Sequence, residues 1–185
     1  MKSDHIGGVI TFPGGIFDRL KIDGVCTTTG PLEANDLHIE GVFTGNGDVK
    51  ADRFDCEGVV TINGNLRAKH ADIDGVVTIS GNKVEGDFIK CDGVLTIKGQ
   101  VSADVIEAQG FINATEIVGD RIIIKSFRKS PIFKLWIKFK KAVGNPDFSK
   151  VDLIEATTVE LRGVRAHSVN GENVIIGPAC VIDEV

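Results

Sequence analysis

The sequence predicts an all-β protein, a parallel three-sided β-helix with about 17 residues per coil. The first indication is a glycine that recurs every 17 residues, once after 18, at Gly24, Gly41, Gly58, Gly75, Gly93 and Gly110. The second is a set of three alternating apolar pairs between successive glycines. The third is the composition, since 22 Gly and no Tyr favour tight turns and small interior side chains.

The alternation within one repeat predicts three short strands. In the third copy the apolar pairs are Phe54 and Cys56, Val60 and Ile62, and Leu66 and Ala68. Because successive side chains of a strand point to opposite faces, each pair places two residues inside the coil. Glycine or asparagine between the pairs supplies the corners, often with positive φ. Coils stacked about 4.8 Å apart then share one continuous core.

Aligned repeats predict two interior columns. One contains Ile22, Ile39, Cys56, Ile73, Cys91 and Ala108; the other contains Cys26, Phe43, Val60, Val77, Leu95 and Ile112. Cys56 and Cys91 lie two coils apart, about 9–10 Å, which is too far for a disulfide. The cysteine spacing matches no zinc motif, so we expect free buried thiols, no metal site and a reducing compartment.

Two outward columns are candidates for function. One is a threonine ladder, Thr27, Thr44, Thr61, Thr78 and Thr96, continued by Asn113. Its simplest interpretation is the strand preference of β-branched side chains; an ice-binding face, which usually needs paired ranks, is the alternative. The other is an acidic edge of stacked like charges, Asp23, Glu40, Glu57, Asp74 and Asp92. We interpret that edge as a solvated, salt-screened corner, with recruitment of cations or a basic partner as the alternative.

A basic segment interrupts the repeats. Residues 121–150 contain nine Lys or Arg and one acidic residue, whereas residues 1–120 contain ten and nineteen. Its apolar side chains alternate as in a strand, and they fit an amphipathic helix almost as well. The pattern predicts contact with an anionic membrane surface or a partner, with packing on the β-helix as the alternative. The predicted contact residues are Phe133, Lys134, Leu135, Trp136, Lys138, Phe139, Lys140 and Lys141.

The chain divides into four predicted parts: an N-terminal tail (1–16), β-helix repeats (17–125), the basic insertion (126–150) and C-terminal coils (151–185). Neither end has an amphipathic helix to cover it, so exposed apolar side chains and unpaired edges predict end-to-end stacking of copies. The start lacks the features of a signal peptide, and no apolar run is long enough to span a bilayer. We therefore expect a cytoplasmic protein, peripheral at the inner face of the cell membrane.

The repeat core Gly-Val-x-Thr-Ile-x-Gly, at residues 58–64, 75–81 and 93–99, resembles the bactofilin family of polymer-forming bacterial cytoskeletal proteins. The ending NGENVIIGPACVIDEV, at residues 170–185, is similar to the close of longer Firmicutes-type members, which also carry a basic insertion. The resemblance covers most of the chain. It implies a right-handed β-helix, assembly into non-polar filaments without nucleotide or other cofactor, and service as a scaffold for envelope-associated client proteins.

The main alternative is a left-handed hexapeptide-repeat acyltransferase, which fits the six-residue sides. Such an enzyme generally needs a histidine base in a cleft between subunits. The candidates are His5, His38, His70 and His167; His38 and His70 are expected to point outward, and no carboxylate is identifiably placed to orient any of them. No catalytic residues are therefore assigned, and an enzyme is not expected. Nucleic-acid binding by the basic insertion is disfavoured because the rest of the chain is acidic.

Overall fold

The computed structural model describes residues 2–126 and 148–185, and all regular structure within these ranges is β-strand. Before the gap lie β1 Lys2–Ile6, β2 Val9–Phe12, β3 Gly15–Ile22, β4 Val25–Thr28, β5 Leu32–Ile39, β6 Val42–Gly45, β7 Val49–Cys56, β8 Val59–Ile62, β9 Leu66–Ile73, β10 Val76–Ile79, β11 Lys83–Cys91, β12 Val94–Ile97, β13 Gln100–Ala108 and β14 Phe111–Lys125. After it lie β15 Ser149–Arg162, β16 Val164–Asn170, β17 Asn173–Ile176 and β18 Val181–Glu184.

The strands stack in parallel, each on the equivalent strand of the previous coil. For example, Val49 of β7 pairs with Leu66 of β9, and Cys56 pairs with Ile73, a step of 17 residues. The chain completes about 10 coils in this way. The predicted β-helix is therefore confirmed.

Three sides arise because the alternation of buried and exposed residues is broken once within each long strand. In β7, Val49 and Ala51 are buried, Asp52 and Arg53 are both exposed, and burial resumes at Phe54. Two consecutive exposed residues mark a corner, since a straight strand alternates. We call the side formed by residues 49–51 and its equivalents face A. Residues 54–56 define face B, and the short strand at residues 59–62 defines face C.

The two predicted interior columns are confirmed. Every member is at most 3% exposed, and Cys56, Cys91, Phe43 and Leu95 are fully buried. Face A contributes smaller side chains to the core, namely Ala34, Ala51, Ala68 and Ala103. Since a coil stacked at about 4.8 Å places like residues on one another, the core is a set of aliphatic columns.

The cysteines are free thiols, as predicted. Cys26, Cys56 and Cys91 are buried, and Cys180 is half-buried near the C-terminal end. Burial raises the pKa of Cys26 to about 11. Burial likewise raises the pKa of Cys56 to about 12, against a weak hydrogen bond to the Gly58 carbonyl. These thiols behave as hydrophobes, because the thiolate is the reactive form and burial disfavours it.

The predicted N-terminal tail of residues 1–16 is corrected by the structure, which places strands β1 and β2 in this range. Ile6 pairs with Ile22 of β3, and Val9 pairs with Val25 of β4. Sequence reasoning missed this coil because its corner is Gly7-Gly8, without the acidic residue that precedes later corner glycines. The β-helix therefore extends back to Lys2.

Stacking continues across the interruption. Asn113 of β14 pairs with Lys150 of β15, and Ile124 pairs with Leu161, a step of 37 residues. The Ser126 and Ser149 hydroxyl oxygens lie 2.9 Å apart, so the described chain leaves and rejoins the β-helix at neighbouring positions. The predicted contact residues from Phe133 to Lys141 lie outside the described residues.

Candidate functional site

The N-terminal end of the β-helix is open. Strands β1 and β2 each pair on one side only, with β3 and β4. Apolar side chains are exposed there, with Val9 86%, Ile16 64% and Ile10 44% accessible. An open cleft of about 420 Å³ lies at this end, between Ile6, Val9, Ile10, Phe12 and Phe17. This end therefore offers both unpaired backbone groups and an apolar surface.

The C-terminal end has the same character. Strands β17 and β18 also pair on one side only, with β15 and β16. The exposed apolar side chains are Ile175 at 61%, Ile176 at 45%, Val181 at 48% and Val185 at 74%. Within residues 148–185 no helix covers this end. Both ends of the described β-helix thus resemble a sheet edge, which favours pairing with another strand.

The six corner glycines lie on one another between faces B and C. The Val59 amide donates to the Gly41 carbonyl at 3.0 Å, and the Val76 amide donates to the Gly58 carbonyl at 2.9 Å. A Cβ on Gly58 would collide with the Gly41 carbonyl oxygen and lie 2.6 Å from that of Glu40. None of the six has positive φ, contrary to the expectation for corners; Gly14, Gly15, Gly47 and Gly163 do. These corners require glycine because successive coils approach closely.

The acidic edge is neutralised along part of its length by basic side chains on face B. Lys21 lies 2.9 Å from Glu40 and 3.4 Å from Asp23. Lys90 in turn lies 3.1 Å from Asp72 and 3.2 Å from Asp92. These bridges correct the predicted column of stacked like charges, because each basic residue stands two positions before an acidic corner residue. That i, i+2 spacing was readable in the sequence.

Like charges remain together only in the middle of the edge. Partial burial, opposed by Lys90 and reinforced by the neighbouring Asp72 and Asp92, raises the pKa of Asp74. Nearby, ligand-type atoms of His38, Asp55 and Glu57 lie within 4.8 Å of one another, and this is the one such group in the described residues. His38 already uses both ring nitrogens on carboxylates, however. The arrangement is that of a salt-bridged imidazolium.

Three of the four histidines are oriented by carboxylates, which corrects the expectation that none would be. His38 Nδ1 lies 2.8 Å from Asp55, and its Nε2 lies 2.8 Å from Glu40. Although partial burial opposes protonation, these two hydrogen bonds raise the pKa of His38 above its ordinary value. His5 lies 2.6 Å from Asp23, and His167 lies 3.0 Å from Asp183. The signal was again the stacking interval, which brings residues 17 apart together.

Face C carries the predicted threonine ladder. Thr27, Thr44, Thr61, Thr78 and Thr96 pair in succession, Thr11 precedes them and Asn113 follows. A second outward rank, missed by sequence reasoning, is valine: Val25, Val42 and Val59 are 42–44% exposed. The paired ranks on this face are thus Val and Thr. Alternation of Val59 with the buried Val60 would have identified the second rank.

Charge changes along the corner between faces B and C. Gln109 follows the acidic residues, and Lys125 and Arg162 occupy the equivalent position in later coils. Lys125 pairs with Glu160 at 2.9 Å, and the Arg165 guanidinium lies 5.7 Å from the centre of the Phe148 ring. The basic insertion therefore departs from the β-helix at the end of the edge that is not acidic.

Comparison with protein-family models, curated proteins and solved structures finds no match. The ends, corners and faces of this chain are therefore interpreted from their own chemistry. Among the described residues no helix is long and apolar enough to cross a bilayer.

Proposed function

We propose that this protein is a structural scaffold that polymerises end to end through its two open coils, without nucleotide, in the manner of bactofilins. The observation that carries the proposal is the pairing of β1, β2, β17 and β18 on one side only, with exposed apolar side chains beside them. A strand edge with apolar flanks pairs readily with another such edge. Stacking one more coil on each end continues the same ladder and the same core columns.

The histidine geometry favours this proposal over an acyltransferase. The carboxylates that face His5, His38 and His167 lie on the outer surface of the same chain, and all three histidines are at least partly exposed. A general base works beside a bound substrate, from which water is largely excluded. These histidines instead bridge successive coils.

Electron microscopy of the purified chain without nucleotide tests the proposal. We expect filaments for the wild type and loss of filaments for the double variant Val9→Lys/Ile175→Lys, which places a charge at each open end. The matched control Gln109→Lys adds the same charge at an exposed corner within the stack and is expected to polymerise. A wild-type chain that stays monomeric contradicts the proposal, and discrete trimers favour the acyltransferase.

The single-end variants decide how the ends meet. Blocking one end of a non-polar polymer, in which like ends meet, leaves dimers joined through the other end. Blocking either end of a polar polymer leaves monomers. We expect dimers for both Val9→Lys and Ile175→Lys, measured by sedimentation velocity, in keeping with the resemblance to bactofilins.

Peripheral contact with an anionic membrane is the second part of the proposal. It is supported by the charge of residues 121–150, nine basic against one acidic, beside apolar Phe133, Trp136 and Phe139. Each Lys or Arg near an anionic surface contributes about 1 kcal/mol. Lys138→Glu/Lys141→Glu is expected to abolish co-sedimentation with phosphatidylserine vesicles at low salt while filaments persist. Unchanged co-sedimentation contradicts the membrane contact, and a salt-sensitive shift of single-stranded DNA would assign the segment to nucleic acid.

A further inference from the structure

Face C is uncharged over its first five coils, unlike the other two faces. Its outward side chains there are Val9, Val25, Val42, Val59 and Val76, each followed two positions later by threonine. In the same coils, outward positions of face A include Glu33, Lys50 and Arg67, and those of face B include Lys21, His38 and Asp55. Face C is thus a regular surface of methyl and hydroxyl groups.

The valine rank is open to solvent at one end of the molecule and sealed at the other. Val25, Val42 and Val59 are 42–44% exposed, whereas Val94 and Phe111, farther along the same rank, are 5% and 6% exposed. Those two residues form a small apolar cluster with Val76, separate from the interior core. The outward rank is therefore a packing surface whose N-terminal part has no partner among the described residues.

We propose that the open part of face C packs laterally against face C of a second copy, so that neighbouring polymers associate side by side. The inference rests on the proposed end-to-end polymerisation. Two copies present the same axial period of about 4.8 Å, so the valines of one face fit between those of the other along the whole contact. A partner without this period cannot match more than one or two coils.

The lack of charge supports the same occupant. Packing face C against itself desolvates no ionised group, whereas charged faces A and B would bring like charges together in a self-contact. A charged partner, such as nucleic acid or an anionic lipid surface, would find no complementary group on face C. A second uncharged face C is the complementary surface that this molecule itself provides.

The available area explains why pairing needs polymers. Five coils at about 4.8 Å and strands of four residues at about 3.3 Å each give roughly 300 Å² per molecule. A stable protein pair usually buries about 800 Å² per partner. Isolated molecules therefore do not pair through face C, while polymers add the same small contact at every subunit and gain in avidity.

The test compares bundling with polymerisation. Wild-type polymers are expected in a low-speed pellet and as side-by-side pairs in negative-stain images. Val42→Lys/Val59→Lys is expected to remain only in the high-speed pellet, as single filaments of wild-type length. Ser102→Lys, which places the same charge on an outward position of face A, serves as control and is expected to bundle. Thr61→Lys provides an independent face C variant, and circular dichroism verifies the β-structure of each.

Salt dependence gives a second measurement. Because face C is neutral, bundling is expected to persist at about 1 M salt, where charges are screened beyond about 3 Å. Bundles that survive in Val42→Lys/Val59→Lys and in Thr61→Lys overturn the inference, as do wild-type filaments that never pair. Absence of wild-type filaments overturns the proposed function and this inference together, so the two failures are distinguishable.

Discussion

The corner between faces B and C is built in two ways along the molecule. From Gly24 to Gly110 it is a glycine without positive φ, pressed against the previous coil, and the step is 17 residues with one of 18. After the interruption it is Arg162 followed by Gly163 at a φ of 68°, and the step shortens to 15. Both regions keep alternating inward side chains. Inward alternation is thus what a coil requires, while the close glycine contact accompanies the regular step.

The two regions also differ in how they bury a polar side chain. Thr28, in the regular coils, is fully buried and its hydroxyl has no hydrogen-bond partner. Ser149, at the interruption, is equally buried but accepts a hydrogen bond from the Ile112 amide at 3.1 Å and contacts the Ser126 hydroxyl at 2.9 Å. A buried hydroxyl stabilises the fold where it completes the backbone network and destabilises it where it does not.

The largest expected effect comes from breaking the glycine corner with Gly58→Ala. The added Cβ collides with backbone of the preceding coil rather than with a flexible side chain, so two coils must separate locally. We expect a loss of at least about 3 kcal/mol in unfolding free energy, at the upper end of overpacking costs. Urea denaturation of the polymerisation-deficient Val9→Lys/Ile175→Lys background measures it.

Gly8→Ala is the matched control, since Gly8 occupies the same corner one coil before Gly24 and a Cβ there meets no atom within 4 Å. Its unfolding free energy is expected to stay within about 0.5 kcal/mol of the parent. Equal losses in the two variants would show that the corner glycines act through backbone conformation and not through close approach.

Ser149→Ala sharpens the comparison at the interruption. Removing the hydroxyl leaves the buried Ile112 amide without its acceptor, because the side chain at position 149 supplies the oxygen. We expect a loss of about 1–3 kcal/mol in the same denaturation experiment. Ser149→Thr retains the hydroxyl and is expected to recover part of that loss. An unchanged Ser149→Ala variant would mean that another group satisfies the Ile112 amide.

Thr28→Val is expected to have the opposite sign. Valine has nearly the shape of threonine but places a methyl group where the hydroxyl lacks a partner. Relief of that desolvation is expected to stabilise the protein by about 1 kcal/mol. Thr27→Val, on the outer surface of the same strand, is the control and is expected to change stability little. Destabilisation by Thr28→Val would indicate that the hydroxyl is hydrogen-bonded in solution.

The fold was predictable because a 17-residue interval assigns each residue to an interior or exterior column. Cys56 and Cys91 were placed inside the core by that interval alone, and the structure confirms both. The first coil was missed because Gly7-Gly8 lacks the acidic residue of later corners. The bridges of Lys21 and Lys90 were missed because columns were considered one at a time, although ion pairs form between neighbouring columns. No pattern in the sequence distinguishes a solvated outward valine from a covered one.

The smallest expected effect belongs to His38, which joins two coils through Glu40 and Asp55. Its pKa is raised in the folded state, so its stabilising contribution is complete below about pH 6.5 and is lost as pH rises through the folded-state pKa. His38→Gln is expected to lower unfolding free energy by about 0.5–1 kcal/mol near pH 5.5 and by less near pH 8.5, since the pair is partly exposed. His70→Gln, at an exposed corner, is the control. A His38→Gln penalty that is the same at both pH values would mean that the imidazole acts through packing rather than through its charge.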